Sequence, residues 1–271
     1  MLARAEKIID YLEELAPLDL ALEGDPVGLQ VGDPRREVQD LLVALDLNEH
    51  VLEESLRLGA EMIVTHHPLI FRPLASLDTR HPLVAFLARL LQERLIVYSA
   101  HTNLDIAPRG VNDVLAELFC LKNTRPLENL AHTENKYGMG RVGELEEACT
   151  LGEMVQMCRK TLPVMQLKVC GQPSRLVKRV AVCGGSGGSL IQAAKDSAAD
   201  LFITGDIKYH DAWEAVTYGL ALIDAGHEAT EQPVVASLAE YLQQRLQKDG
   251  FRTRAHSAKA SVTPWNFNLS G

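Results

Sequence analysis

Residues 29–46, LQVGDPRREVQDLLVALD, and residues 167–185, LKVCGQPSRLVKRVAVCGG, follow one plan. Each opens on a short strand, turns at a proline (Pro34, Pro173) and enters a continuously apolar strand, Leu41 to Leu45 or Val180 to Cys183. A helical pattern follows in both. Next come GAEMIVTHH at 59–67 and AADLFITGD at 198–206, each a further strand ending in threonine, Thr65 or Thr204. Farther on, LIVYSAHTNLD at 95–105 pairs with LALIDAGHEATE at 220–231, and helical segments follow each, Val111 to Phe119 and Val234 to Leu246. The leading helices correspond as well, Ala5 to Leu15 with Leu151 to Leu162.

Strands that alternate with helices and are apolar throughout, not at every second residue, belong to α/β layers. Such strands are mostly parallel and covered by helices. The expected fold is therefore α/β, with two similar duplicated halves, 1–124 and 125–271, forming one compact unit. Their junction lies at about 125–150, where polar LAHTENKYGMG (130–140) is too short to be a domain. The tail from Ala255 onward is polar and aperiodic, and is expected to be a loosely packed end.

Composition narrows the function classes. A chain of 271 residues with 46% hydrophobic content can bury a full core without disulfides. A formal charge of -9 without a Lys/Arg cluster argues against a phosphate-backbone gripper, and it leaves room for a small-molecule substrate such as a nucleotide. The five cysteines, Cys120, Cys149, Cys158, Cys170 and Cys183, are odd in number and form no C-x-x-C pair. They read as free thiols of a reducing, cytoplasmic compartment, not as a disulfide framework or thiolate zinc site. The first residues, LARAEKIIDYLEEL, are amphipathic and acidic, unlike a signal peptide, and no stretch is long enough to span a bilayer.

The chemistry-bearing residues stand at strand ends, where open α/β sheets collect ligands. EMIVTHH ends in His66 and His67, while HTNLD (101–105) and HEATE (227–231) each place a histidine four residues before a carboxylate. Imidazole with carboxylate suits a borderline divalent ion, which points to a di-metal cleft between the halves. Adjacent strand residues alternate in direction, so one ion takes both His66 and His67 only if the chain turns, whereas two ions can take one each. The competing structural reading makes the histidine pair a surface or capping feature before Pro68. It makes HTNLD and HEATE helix caps with first-turn acids. The duplication favours the metal, since a carboxylate, Asp105 or Glu231, recurs at the equivalent position of each half. Glu231 is the natural candidate to bridge two ions. His101 is then an orienting residue or a general acid/base beside the metals, a satisfied structural histidine being the other reading. CGGSGGS (183–189) lacks the P-loop lysine and reads as a tight βα turn. Asp206, Lys208 and His210 in GDIKYH either recognise substrate or begin a helix.

VTHHPLIF, YSAHTNLD with GVND after it, TGDIKYHDA and GHEATE, in this order, resemble the signature segments of the GTP cyclohydrolase 1 type 2 homologues. These are also called the NIF-three-like dinuclear metal centre proteins. The resemblance implies two related α/β halves, a di-metal cleft and a homohexameric ring. It makes His66 and His67 ligands of separate ions, Asp105 a ligand of the His67 ion, His227 a ligand of the His66 ion, and Glu231 the bridge. In DPVGLQVG (25–32) the family pattern usually has asparagine where this chain has Pro26. Longer relatives carry an extra middle domain, and this chain reads as the short form.

The expected function is a dinuclear metal-dependent hydrolase of a nucleotide or related heterocycle, nominally opening the GTP ring with release of formate. Its cofactors would be two divalent ions per chain, zinc, manganese, iron, cobalt or nickel. The rival expectation is a metal-binding regulatory or interaction protein whose ring-shaped assembly has no dedicated catalysis.

Overall fold

The computed structural model describes residues 1–130, 136–164, 166–259 and 264. The first elements are β1 (Ala3–Arg4), α1 (Ala5–Leu15), β2 (Gly28–Val31), β3 (Glu37–Val38), β4 (Asp40–Ala44), α2 (Glu49–Leu58) and β5 (Met62–Thr65). They are followed by α3 (Pro82–Gln92), β6 (Ile96–Ser99), α4 (Thr102–Ile106), α5 (Val111–Leu118), β7 (Lys122–Asn129), β8 (Gly138–Thr150) and α6 (Leu151–Thr161). Then come β9 (Lys168–Cys170), β10 (Leu176–Ser186), α7 (Ile191–Asp196), β11 (Leu201–Gly205), α8 (Tyr209–Thr217), β12 (Ala221–Asp224), α9 (His227–Glu231), α10 (Pro233–Lys248) and β13 (Arg254–Ser257).

The repeat in the sequence is a repeat in topology. One sheet runs β13-β4-β5-β6-β2, with β4, β5, β6 and β13 parallel and β2 antiparallel at the edge beside β6. The other runs β7-β8-β10-β11-β12-β9, with β10, β11 and β12 parallel and β9 antiparallel beside β12. The orders β2-β6-β5-β4 and β9-β12-β11-β10 therefore match strand for strand. The short strand that opens each copy is in both cases the antiparallel edge.

The halves read in the sequence are repeats of element order; compactness groups the chain into two units differently. One unit is Met1–Leu104 with the segment that starts at Val235, and the other holds Asp105–Val234. In the first, Leu42, Ala44, Ile63 and Val97 pack one sheet face against Val51 and Leu52 of α2 and Leu87 and Leu90 of α3. In the second, Val180, Val182, Leu201, Ile203, Ala221 and Ile223 pack with Leu115 of α5 and Met154 and Cys158 of α6. Ala181, Phe202 and Leu222 serve the opposite face with Ile191 and Ala194 of α7 and Ala215 of α8. Coverage of both faces explains why these strands read as continuous apolar runs. Asn48 caps α2 by accepting from the Val51 amide, and Thr150 with Glu153 forms a capping box on α6.

Two expectations change. The tail is not loose from Ala255 onward, because Ala255–Ser257 belong to β13, which pairs in parallel with β4. Asp40 accepts hydrogen bonds from Arg254 (2.6 Å) and from the His256 ring (2.7 Å), so polar side chains anchor that strand where apolar periodicity is missing. The junction near 125–150 is not merely a connection either. Around the segment 131–135, which lies outside the described residues, it supplies β7 and β8, and β8 extends the second sheet by pairing with β10.

Candidate metal centre

In the first unit, β5 ends at Thr65 and the chain bends at once. The Thr65 hydroxyl donates to the His67 carbonyl (2.8 Å), the His66 amide reaches Ala44 O (3.2 Å) and the His67 amide reaches Leu45 O (2.9 Å). The bend cancels strand alternation, so the rings of His66 and His67 lie 5.0 Å apart, centroid to centroid. The His101 ring, just beyond β6, is 5.2 Å from His66 and 5.6 Å from His67. One ring nitrogen from each of the three lies within 4.8 Å of the others. Both adjacent histidines thus serve one cluster through the turn that strand alternation alone does not provide.

The tautomers suit a divalent ion. His66 Nδ1 donates to the Ala100 carbonyl (2.9 Å), and a carbonyl accepts only from a protonated nitrogen, so the neutral ring carries its lone pair on Nε2. His67 Nδ1 faces Asp46 (2.8 Å) and His101 Nδ1 faces Asp25 (2.8 Å). An oxygen acceptor behind each imidazole is the arrangement that orients metal-binding histidines and raises their basicity. Burial pushes the Asp25 carboxyl up, but hydrogen bonds from Thr102 and His101 outweigh it and hold the group below its ordinary value. Burial lowers the His101 pKa, Asp25 opposes this, and His66 and His67 lower it further, so His101 is neutral at pH 7.

The second unit places carboxylates. Glu231 is buried on α9 with Oε2 at 3.1 Å from His227 Nε2, and His227 Nδ1 faces Asp206 at 2.8 Å. Asp206 takes a left-handed backbone (φ 53°) directly after β11, local strain that aims its carboxylate at His227. The hydrogen bond to Glu231, against the cost of burial, raises the His227 pKa to about 9. A proton shared by His227 and Glu231 would take the place where a cation could satisfy the same two lone pairs, so a bound cation would displace it.

Glycine makes the room. Gly185 has φ +68°, and a Cβ there would stand 2.2 Å from Glu231 Oε1 and 3.3 Å from His227 Nε2. Its amide donates to the Thr230 hydroxyl (2.9 Å), which fixes the glycine stretch to α9. CGGSGGS is therefore a turn whose missing side chains leave space for a carboxylate. Asp105 is buried on α4. The Asn112 side chain donates to the Asp105 carbonyl (3.0 Å) and accepts from the Gly184 amide (2.9 Å), which braces Asp105 against the stretch that backs Glu231. Burial first, then the nearby Asp105 and Glu231 charges, push the Cys183 thiol up, so it stays protonated. Lys208 and His210 begin α8, where the Lys208 amide donates to Asp211 (3.1 Å).

Histidine and carboxylate groups able to hold a metal ion are therefore present among the described residues. All six proposed site residues stand beyond strand ends, His66, His67 and His101 in the first unit, Asp105, His227 and Glu231 in the second. Sequence reasoning missed Asp25, Asp46, Asn112 and Gly185. An aspartate one or two residues past an apolar strand, as in LLVALD, is the signal that would have found Asp46.

A duplicated α/β scaffold with imidazoles and carboxylates at its strand ends is the class these features define. The family model described as Duf34/NIF3 (NGG1p interacting factor 3) matches residues 3–264, and the chain belongs to that family. A Clostridium perfringens protein named GTP cyclohydrolase 1 type 2 homolog is 36% identical over 242 residues, 89% of this chain and 92% of its own. A Streptomyces coelicolor protein of the same name is 34% identical, covering 98% of this chain and 95% of its own. The structure of a Bacillus cereus protein related to NIF3 superposes with a TM-score of 0.92 at 26% identity, over 98% of this chain and 100% of that one. Reduced HcgD from Methanocaldococcus jannaschii gives 0.77 at 32% identity, over 96% and 99%. No helix among the described residues is long and apolar enough to cross a membrane.

Proposed function

We propose that the protein is a dinuclear metal-dependent hydrolase acting on a nucleotide or related phosphorylated heterocycle, nominally a GTP ring opening that releases formate. His66, His67, Asp105, His227 and Glu231 would hold two divalent ions. Such ions, when bound, activate water and stabilise a developing oxyanion. His101 is the general acid/base: Asp25 holds its Nδ1, and its neutral ring can take a proton at Nε2 and return it. The His227–Glu231 pair, with Glu231 buried and His227 partly exposed, and its Asp206 partner keep a carboxylate oriented.

The observation that carries this reading is the oxygen acceptor at Nδ1 of all four histidines, which leaves Nε2 of His66, His67 and His227 to face an ion and Nε2 of His101 to exchange a proton. The names of the relatives add the substrate class, although fold and family alone do not fix a substrate. The test is metal per chain by elemental analysis, followed by formate and phosphate release from a nucleotide panel. About two ions per chain with formate release from GTP is the expected result. Bound metal with neither product would sink the hydrolase.

A ring-forming binding protein is the second reading, and one observation favours it. Helix α8 presents Tyr209, Trp213 and Val216 at i, i+4 and i+7 with 72%, 55% and 47% of their surface exposed, an apolar strip of the kind that mediates self-association. Light scattering decides the assembly, with a homohexamer expected. A catalytically silent hexamer that loses a bound partner on His67→Ala would support this reading.

A further inference from the structure

The loop that follows the histidine bend carries the exposed aromatic ring nearest the imidazole cluster of the first unit. Phe71 leaves 59% of its surface to solvent, and its ring stands edge-on to His101, 6.4 Å between centroids at 81°. A single exposed phenylalanine ordinarily needs no explanation. Two features set this one apart.

The loop is held in place. The Ile70 amide donates to Gln30 Oε1 (3.1 Å), while Gln30 Nε2 donates to the Pro26 carbonyl (2.7 Å), so Gln30 links the Phe71 loop to the segment that bears Asp25. Asp25 in turn holds His101. Pro68 and Pro73 flank the ring three residues before it and two after it, and each fixes its own φ. The aromatic ring is thus anchored to the same segment that orients the histidine it faces. It is also not isolated. Leu22, 49% exposed, is tied through its amide to the Thr102 hydroxyl (2.9 Å), one residue past His101. An exposed leucine is therefore tethered next to the segment that carries His101, in addition to the Phe71 ring that faces it.

A polar reaction centre with an anchored aromatic ring at its rim suits a ligand that is flat and apolar on its faces but polar at its edges. We propose that Phe71 is the stacking platform for the planar heterocycle of the substrate, with Leu22 as the second wall, and that it confers preference for base-bearing over base-less phosphates. This rests on the hydrolase reading for the identity of the site and adds which part of the ligand the first unit grips. Stacking is tolerant of base identity because every base presents a π-face, so Phe71 selects for a ring, not for guanine over adenine.

The experiment is equilibrium binding of GMP, AMP and ribose 5-phosphate to the metal-loaded full chain, as wild type, Phe71→Ala and Phe71→Trp, with metal per chain measured on the same samples. The expected result is tighter binding of both nucleotides than of ribose 5-phosphate. Phe71→Ala should weaken both nucleotides by roughly five- to a hundredfold and leave ribose 5-phosphate unchanged, and Phe71→Trp should retain nucleotide binding. Metal content should be equal in all three proteins. The platform is overturned if Phe71→Ala changes the nucleotides and ribose 5-phosphate alike, if it changes none of them, or if wild type shows no preference for a base. The hydrolase reading is judged separately, because a platform that binds GMP beside bound metal but supports no formate release leaves the stacking intact and removes the reaction.

Discussion

The two sheets share a strand order and differ at their tips. Beyond β5 and β6 the first presents three imidazoles, each steadied by a carbonyl or carboxylate at Nδ1. Beyond β11 and β12 the second presents one imidazole facing a buried carboxylate, with glycine where the first has bulk. His66 and His67 occupy the positions of Gly205 and Asp206 in the repeat, so an imidazole of the histidine cluster in one copy corresponds to the carboxylate that faces His227 in the other. Duplication supplied the scaffold, and a few residues past each strand divided the labour. The Asp46–His67 and Asp206–His227 pairs each set a carboxylate 2.8 Å from an imidazole, one strand apart in the repeat.

Removing a ligand from each copy should break the comparison outright. A His66→Ala, Glu231→Ala double mutant is expected to drop from about two ions per chain to none by elemental analysis, whereas two independent structural sites would each retain part of their content. The next effect falls on the second copy alone. Gly185→Ala should cost about 1–3 kcal/mol in a urea melt, because it adds strain at a positive φ and forces Glu231 aside, and metal affinity should fall with it. Unchanged stability and affinity would show that the cradle is not needed.

Asp46→Ala and Asp206→Ala test whether the shared carboxylate–imidazole pairs are equivalent. Each should weaken metal binding roughly 10- to 100-fold by competition with a chelator. A loss confined to one copy would sharpen the division of labour. The smallest effect concerns how each sheet is extended on its far side, by β13 beside β4 in the first unit and by β8 and then β7 beside β10 in the second. Burial raises the Asp40 pKa, but hydrogen bonds from Arg254 and His256 outweigh it and hold it below the ordinary value. A lowered carboxylate pKa stabilises the fold above the unfolded value of about 4, and that contribution disappears as pH falls through the folded value. Asp40→Asn should therefore cost about 0.5–1 kcal/mol at pH 7, because Arg254 is exposed and the pair is screened by solvent, with the gap to wild type closing as pH falls below about 4. A gap that stays constant with pH would show that the carboxylate charge does not anchor β13.

Much of this was legible in the sequence because periodicity and duplication reinforce each other. Helix α1 is found at Ala5–Leu15 as its spacing predicts, and α6 ends one residue before Leu162. The strand ends gave up His66, His67, His101, Asp105, His227 and Glu231 as candidates, since position in an α/β sheet carries chemical meaning. What stayed hidden depends on contacts remote in sequence. β13 is four residues long with two of them charged or titratable, and pairs with a strand 214 residues away. Gly185 looks like any turn glycine until Glu231 is seen beside it. The bend at His66 requires Thr65 to reach the His67 carbonyl, which no alternation rule foresees.

The pairing of β13 with β4 also bears on how the chain is made. The Thr253 hydroxyl that accepts from the Ala3 amide, and the strand that closes the first sheet, emerge from the ribosome after β1 to β12. The three-histidine unit must therefore wait, with the edge of β4 unpaired, until Arg254–Ser257 are synthesised. Such long-range closure is slow, and an uncovered strand edge invites pairing with another chain. Termination anywhere before Arg254 would release a first sheet with a sticky side, which makes β13 a seal on that sheet as well as part of it.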